Sequence, residues 1–149
     1  MRLFIMNYFD ELEVRTADAR AASLAECLPA LLAEASDLPG YVKFREYDLS
    51  TITSAVALER LPVLRKSELG AAQKMLPPFG GFVGPNFEYA FQSPGPLYEP
   101  GRTTHDWWRF GRFLHATGIG QGDIIQNCFS YHLTPAGTMF ENGAHAVGA

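Results

Sequence analysis

Gly122-Asp123-Ile124-Ile125-Gln126-Asn127-Cys128-Phe129-Ser130-Tyr131-His132-Leu133-Thr134-Pro135-Ala136-Gly137 is the stretch on which the reading of the fold turns. Gly122-Asp123 is turn chemistry, and Ile124-Ile125 brings two β-branched side chains suited to a buried strand. Thr134-Pro135 has the composition of a helix start. A Thr hydroxyl can accept an orphan backbone N–H, and Pro in the first turn forfeits no hydrogen bond. The stretch therefore reads as strand, polar-aromatic loop and helix. In a parallel α/β sheet such a loop lies at the carboxyl end of a strand, where ligands bind. This loop holds Asn, Cys, Ser, Tyr and His within six residues, the densest run of functional side chains in the chain.

Working outward, Tyr89 to Ser93 reads as another strand, ended by Pro94-Gly95-Pro96. Leu97 to Pro100 is a second short strand or an extended loop. Thr103 or Thr104 is expected to cap a helix through about Thr117. Its apolar face would comprise Trp107, Trp108, Phe110, Phe113 and Leu114, and Gly118 and Gly120 would end it. The second half thus reads strand, helix, strand, helix, with the last helix running from Thr134 to about Val147.

The first half reads as helical. Leu24, Leu28, Leu31 and Leu32 recur at three- and four-residue steps, and Thr16 is a plausible helix start. Pro29 is expected to kink that helix or restart it, and Cys27 beside it to be a small buried hydrophobe. Asp37-Leu38-Pro39-Gly40 stops it. Tyr41 to Ser50 reads as irregular, and Thr53 or Ser54 as the cap of a short helix through Leu58. Leu61-Pro62 breaks that helix, because Pro forces the preceding residue to extend. Ser67 is a candidate cap for a helix through Met75. Pro77 to Phe82 is a connector.

The expected class is α/β: a helical lead-in and connector over residues 1–84, then an incomplete β-α-β-α unit over residues 85–149. A sheet of two or three strands is too small to cover these helices. The chain therefore reads as the first part of a larger protein, or as one whose missing strands come from a partner chain.

The 149 residues suffice for one domain with a real core, and 47% of them are hydrophobic. Twelve basic side chains against 16 acidic ones, with no basic run, argue against nucleic acid or an anionic membrane as partner. Met1 to Met6 is apolar but too short for a signal sequence, and nothing approaches a membrane span. A cytoplasmic protein is expected. Cys27 and Cys128 have no spacing that suggests a disulfide framework.

Asn127 to Gly137 resembles the strand-loop-helix of phenylacetate–CoA ligase-like proteins, members of the adenylate-forming superfamily that includes acyl-CoA synthetases. Three more segments resemble the same family: Tyr8-Phe9-Asp10-Glu11-Leu12-Glu13, Leu61-Pro62-Val63-Leu64-Arg65-Lys66-Ser67-Glu68-Leu69 and Pro78-Phe79-Gly80-Gly81-Phe82. The resemblance covers nearly the whole chain, but only about the first third of a family member. It implies an AMP-forming acyl- or aryl-CoA ligase: ATP activates a carboxylate as an acyl-adenylate, and coenzyme A then takes the acyl group. It also implies that Phe129, Tyr131 and His132 line a pocket for a small aromatic or acyl carboxylate.

The family's phosphate loop would fall after Tyr89, where Ser93 and Gly95 are its remaining members. Its Thr-Thr-Gly-Lys portion is missing. Pro94 and Pro96 remove two amide donors, and Glu99 adds a charge that repels phosphate. No catalytic residue is expected here, because the family's later motifs lie outside the chain, and no metal ligand set, because His105, His115 and His145 offer no helical i, i+4 pairing or second Cys to complete one with Cys128 and His132. ATP and coenzyme A are implied cofactors that this chain alone would not hold tightly. The alternative function is a non-catalytic binding or assembly module derived from such a ligase, partnered by the remainder of the fold or by itself.

Each candidate also has a plainer role. Phe129 and Tyr131 can pack a sheet edge, His132 can satisfy loop backbone, and Asn127 can satisfy loop amides. Ser93 and Gly95 can form a proline-stiffened turn. Cys128 with His132 allows a nucleophile–base pair, but geometry rather than spacing defines such pairs.

Overall fold

The computed structural model describes residues 8–149. The reading of Met1 to Met6 lies outside the described residues. Asp10 opens a 3-10 turn over Glu11–Val14, its carboxylate accepting from the Leu12 N–H. The Arg112 guanidinium pairs with Asp10 and, at 2.8 Å, with Glu13. The Tyr8 to Glu13 segment is thereby tied to a helix a hundred residues away in sequence.

Helix α1 spans Ala17–Asp37, and Thr16 caps it by accepting from the Ala19 N–H at 3.1 Å. It runs on through Pro29 and does not restart there. Its buried residues are Leu28 and Leu32, so the apolar stripe is narrow. Cys27 lies outside that stripe and is exposed, which corrects the expectation that it is buried. Leu38 and Pro39 then turn the chain into a 3-10 stretch, Pro39–Glu46, and two shorter 3-10 turns, Leu49–Thr51 and Ala57–Arg60. Leu32, Ile52 and Leu61 meet beneath these turns, with Phe44, Leu49 and Leu58 packed around them. Ile52 is 1% exposed, and burial of this kind contributes about 1.5–3 kcal/mol per side chain. Ser54 caps the last turn by accepting from the Ala57 N–H.

Helix α2 is Lys66–Met75. Arg65 rather than Ser67 sits at its start, and no side chain caps it. The helix begins one residue before Ser67, so that hydroxyl lies inside the first turn. After the Pro77 to Phe82 connector come strands β1, Tyr89–Ser93, and β2, Leu97–Gly101. They pair antiparallel, Ser93 opposite Leu97 and Tyr89 opposite Gly101. Pro94-Gly95-Pro96 is the intervening turn. Gly95 has φ +129°, a conformation that L side chains rarely adopt.

Helix α3 is Phe110–Ala116, much shorter than expected. Thr103 and Thr104 do not cap it. Asp106 and Arg109 take left-handed conformations, φ 47° and 59°, which hold Trp107 and Trp108 off the helix. The Asp106 carboxylate accepts from the Gly111 N–H at 2.8 Å and supplies the missing cap. Trp108 packs instead on Phe91 of β1, ring centres 6.0 Å apart. Helix α4, Ala136–Val147, lies against α3 through Phe110 and Phe140, 4.9 Å apart and edge-on. It starts two residues after Thr134, and no side chain caps it.

The largest correction concerns Ile124-Ile125. No strand forms there: residues 123–128 are irregular, and Ile124 is 98% exposed. The α/β class stands, as a helical lead-in followed by a small partial sheet. Its observed order, however, is hairpin, helix, unpaired segment, helix. A strand is defined by its partner, and among the described residues this segment has none. None of the helices is long and apolar enough to cross a membrane, among the described residues.

Candidate functional site

Two candidate regions come together at one backbone bond. The Gln92 N–H, one residue before Ser93, donates to the Leu133 carbonyl, one residue after His132, at 2.8 Å. The hairpin end and the aromatic loop are therefore neighbours, although forty residues separate them in the chain.

Asn127 organises the loop. Its side-chain NH2 donates to the Tyr131 hydroxyl and to the Gly137 carbonyl, both at 2.8 Å. Its side-chain oxygen accepts from the Phe129 N–H at 3.1 Å. One amide thus fixes the backbone entering the loop, the aromatic within it and the first turn of α4. The Gly137 N–H donates back to the Ser130 carbonyl at 3.1 Å. A Cβ at Gly137 would lie 2.7 Å from that carbonyl oxygen and 2.8 Å from the Tyr131 ring. Only glycine admits so close an approach of loop to helix.

Phe129 stacks on Phe140 of α4, ring centres 4.6 Å apart and planes 15° from parallel. It keeps 51% of its surface exposed, and Tyr131 keeps 50%. Both rings are thus anchored on one side and open on the other. His132 is exposed, and its N–H donates to the Ser130 hydroxyl at 3.3 Å. Cys128 is also exposed.

At the hairpin, the Ser93 hydroxyl donates to the Leu97 carbonyl at 3.3 Å, across the turn that contains Gly95. Beyond it, the Glu88 N–H donates to the Gly101 carbonyl and extends the β ladder. The Glu88 carboxylate accepts from both the hydroxyl and the backbone N–H of Thr103. Those two bonds, with Arg102 nearby, hold the Glu88 carboxyl below the usual carboxylate range. Thr103 does not cap α3 because that helix starts only at Phe110, seven residues further on.

A cleft of about 250 Å³ opens at the connector, lined by Pro39, Leu76, Pro78, Phe79, Val83 and Phe87. Its walls carry no titratable group. Among the described residues no three His, Cys, Asp or Glu side chains group as a metal site.

Comparison with solved structures adds a likeness of fold. The crystal structure of a 2-hydroxyisobutyryl-CoA ligase, in the postadenylation state and in complex with R3-HIB-AMP, matches 89% of this chain with a TM-score of 0.77. The chain therefore shares the fold of a part of that protein. Identity over the match is 22%, and the chain spans 30% of that protein's length. No family model matches the chain. No curated protein matches it.

Sequence reasoning placed the loop aromatics correctly on an exposed loop, but it missed Phe140 and Gly137 as their supports. A signal for Gly137 was present. Glycine in the first turn of a helix costs roughly 1 kcal/mol against alanine, so its presence there points to a close contact. Gln92 gave no such signal, because its contribution is a backbone N–H that any residue but proline would supply.

Proposed function

We propose that this chain is the N-terminal part of an AMP-forming acyl- or aryl-CoA ligase-like protein, and that it does not complete adenylation by itself. The observation that carries this reading is the shared fold, a TM-score of 0.77 over 89% of the chain. Residues 1–84 and 85–149 are then two stretches of one domain.

Within it, Phe129, Tyr131 and His132 form one wall of a pocket for a small aromatic or acyl carboxylate. Two half-open rings held by Asn127 and Phe140 suit the apolar body of such a substrate. An aromatic acid of the phenylacetate kind is the substrate this reading names. ATP and coenzyme A are the cofactors of the complete reaction, and a cytoplasmic location belongs to the same reading.

The hairpin supports the reading that the chain is inactive by itself. Adenylation must hold a pyrophosphate leaving group with amides and hydroxyls that are free to donate. Ser93 and Gly95 sit in the segment where that loop belongs, but the Ser93 hydroxyl already serves Leu97. Pro94 and Pro96 have no N–H to offer. The same observation favours a second reading, a binding module that holds an aromatic acid without turnover.

Pyrophosphate release with ATP, coenzyme A and a panel of aryl and acyl acids tests the first claim. No turnover is expected, and clear turnover by this chain overturns it. Titration with phenylacetate, followed by ring resonances, tests the pocket wall. Shifts at Phe129 and Tyr131 that vanish in Tyr131→Ala are expected; a spectrum unmoved at both rings removes that assignment.

A further inference from the structure

We propose that the exposed face of helix α1 is a two-fold interface with a second copy of this chain. The side that α1 turns to the core is the narrow line of Leu28 and Leu32. Beside it runs a second line that is left uncovered among the described residues. Arg20, Leu24, Cys27, Leu31 and Glu34 recur at steps of four, three, four and three, the spacing of a helix–helix seam. All five are exposed, Leu24 at 39% and Leu31 at 59%. Apolar side chains aligned in this way mark a contact surface, unlike those scattered singly over an ordinary exterior.

The order of charges along the seam selects the occupant. Arg20 lies seven residues before Cys27, and Glu34 lies seven after it. In a two-fold contact, residue i meets residue j and j meets i. With the helices antiparallel and the axis at Cys27, each Arg20 therefore meets Glu34 of the other copy. Leu24 and Leu31 interleave between these two charge pairs. A parallel pair would set Arg20 on Arg20 and Glu34 on Glu34, which like-charge repulsion opposes.

Both charges are available for this pairing. Among the described residues neither forms an ion pair, and Arg20 donates only to the Arg15 carbonyl. Glu26, the one charge between them in sequence, stands about 200° round the helix from Leu24. Small side chains at Ala21, Ser23 and Ala30 flank the seam and let a second helix approach. The interface needs only α1, so it holds whether or not the ligase reading does.

The test is sedimentation of the 149-residue chain from micromolar to millimolar concentration. Reversible dimerisation is expected. Arg20→Glu and Glu34→Arg should each weaken it at least about tenfold, because each sets like charges together. An equimolar mixture of the two variants should dimerise again, since each reversed charge then faces its opposite. Both substitutions are at exposed positions and run with the helix dipole, and circular dichroism checks that α1 stays formed. Leu31→Lys should abolish the dimer. On a Cys128→Ser background, a short bis-maleimide should join two chains through Cys27 and fail to do so in Cys27→Ser.

A chain that stays monomeric at millimolar concentration overturns the proposal. Dimers that survive all three seam substitutions use another surface and overturn it too. Dimers lost in Leu31→Lys but indifferent to both charge reversals exclude the antiparallel arrangement, and with it the two-fold pairing proposed.

Discussion

The β1–β2 hairpin and the 123–128 segment have similar raw material and opposite fates. Both carry residues suited to strands, and both follow turn chemistry. The hairpin brings its own partner, four residues from Ser93 to Leu97, and closes locally. One residue on each outer edge is then engaged, Tyr98 of β2 by the buried Gln73 side chain and Gln92 of β1 by the Leu133 carbonyl. The 123–128 segment has no partner among the described residues and stays irregular. A strand is therefore a property of a pair, and β-propensity alone marks where one can form.

The comparison can be broken most forcefully at Gln73. Gln73→Ala removes two hydrogen bonds and leaves the Tyr98 N–H and carbonyl without their partner. We expect a loss of about 1–3 kcal/mol in urea unfolding, since orphaned groups cost more than the bonds contribute. A loss under about 0.5 kcal/mol would mean that water replaces the clasp.

Asn127→Ala does the equivalent to the aromatic loop, and a loss of about 1–2 kcal/mol is expected because that site is only part-buried. It should also free the Tyr131 ring, seen as narrowed ring resonances. Unchanged rings would show that Gly137 and Phe140 suffice to hold the loop.

Acid sharpens the comparison from the hairpin side. The Glu88 carboxyl titrates lower when folded than the value of 4.5 usual for the group. Its contribution is therefore fully present above that ordinary value. It is lost as pH falls through the lower, folded one. Unfolding followed between neutral pH and pH 3 should show Glu88→Gln with a shallower acid loss than the parent chain. Parallel curves would remove Glu88 from the acid response.

The smallest effect belongs to the unpaired segment. Ile124→Lys should change stability by no more than about 0.5 kcal/mol, because a fully exposed side chain has no packing to lose. A larger destabilisation would show that Ile124 is covered in solution.

Much of the first half was legible in the sequence. Thr16, the Leu38-Pro39 stop and the Leu61-Pro62 break act within a few residues, so their signals are local. The Pro94-Gly95-Pro96 turn was legible for the same reason. Trp107 and Trp108 were misplaced because the helix start depends on left-handed Asp106 and Arg109, conformations the residue types do not advertise. Thr103 looked like a cap, but it donates to Glu88, fifteen residues earlier, and the helix starts seven residues beyond it. In the site, Phe129 and Tyr131 were found by their density on a loop. Their supports were not, because Phe140 and Gly137 reach them only once α4 folds back on the loop.

The sequence by itself determined where helices could start and stop, where the chain must turn, and which loop carries the aromatic and polar side chains. Those are effects of backbone sterics and nearby hydrogen bonds, complete within a turn or two. Only the tertiary structure decided which extended segments became strands, which threonine capped what, and which faces of Phe129 and Tyr131 stayed open. Each of these depends on a partner distant in the chain, and a residue's own chemistry states what it can bond to but not what will reach it.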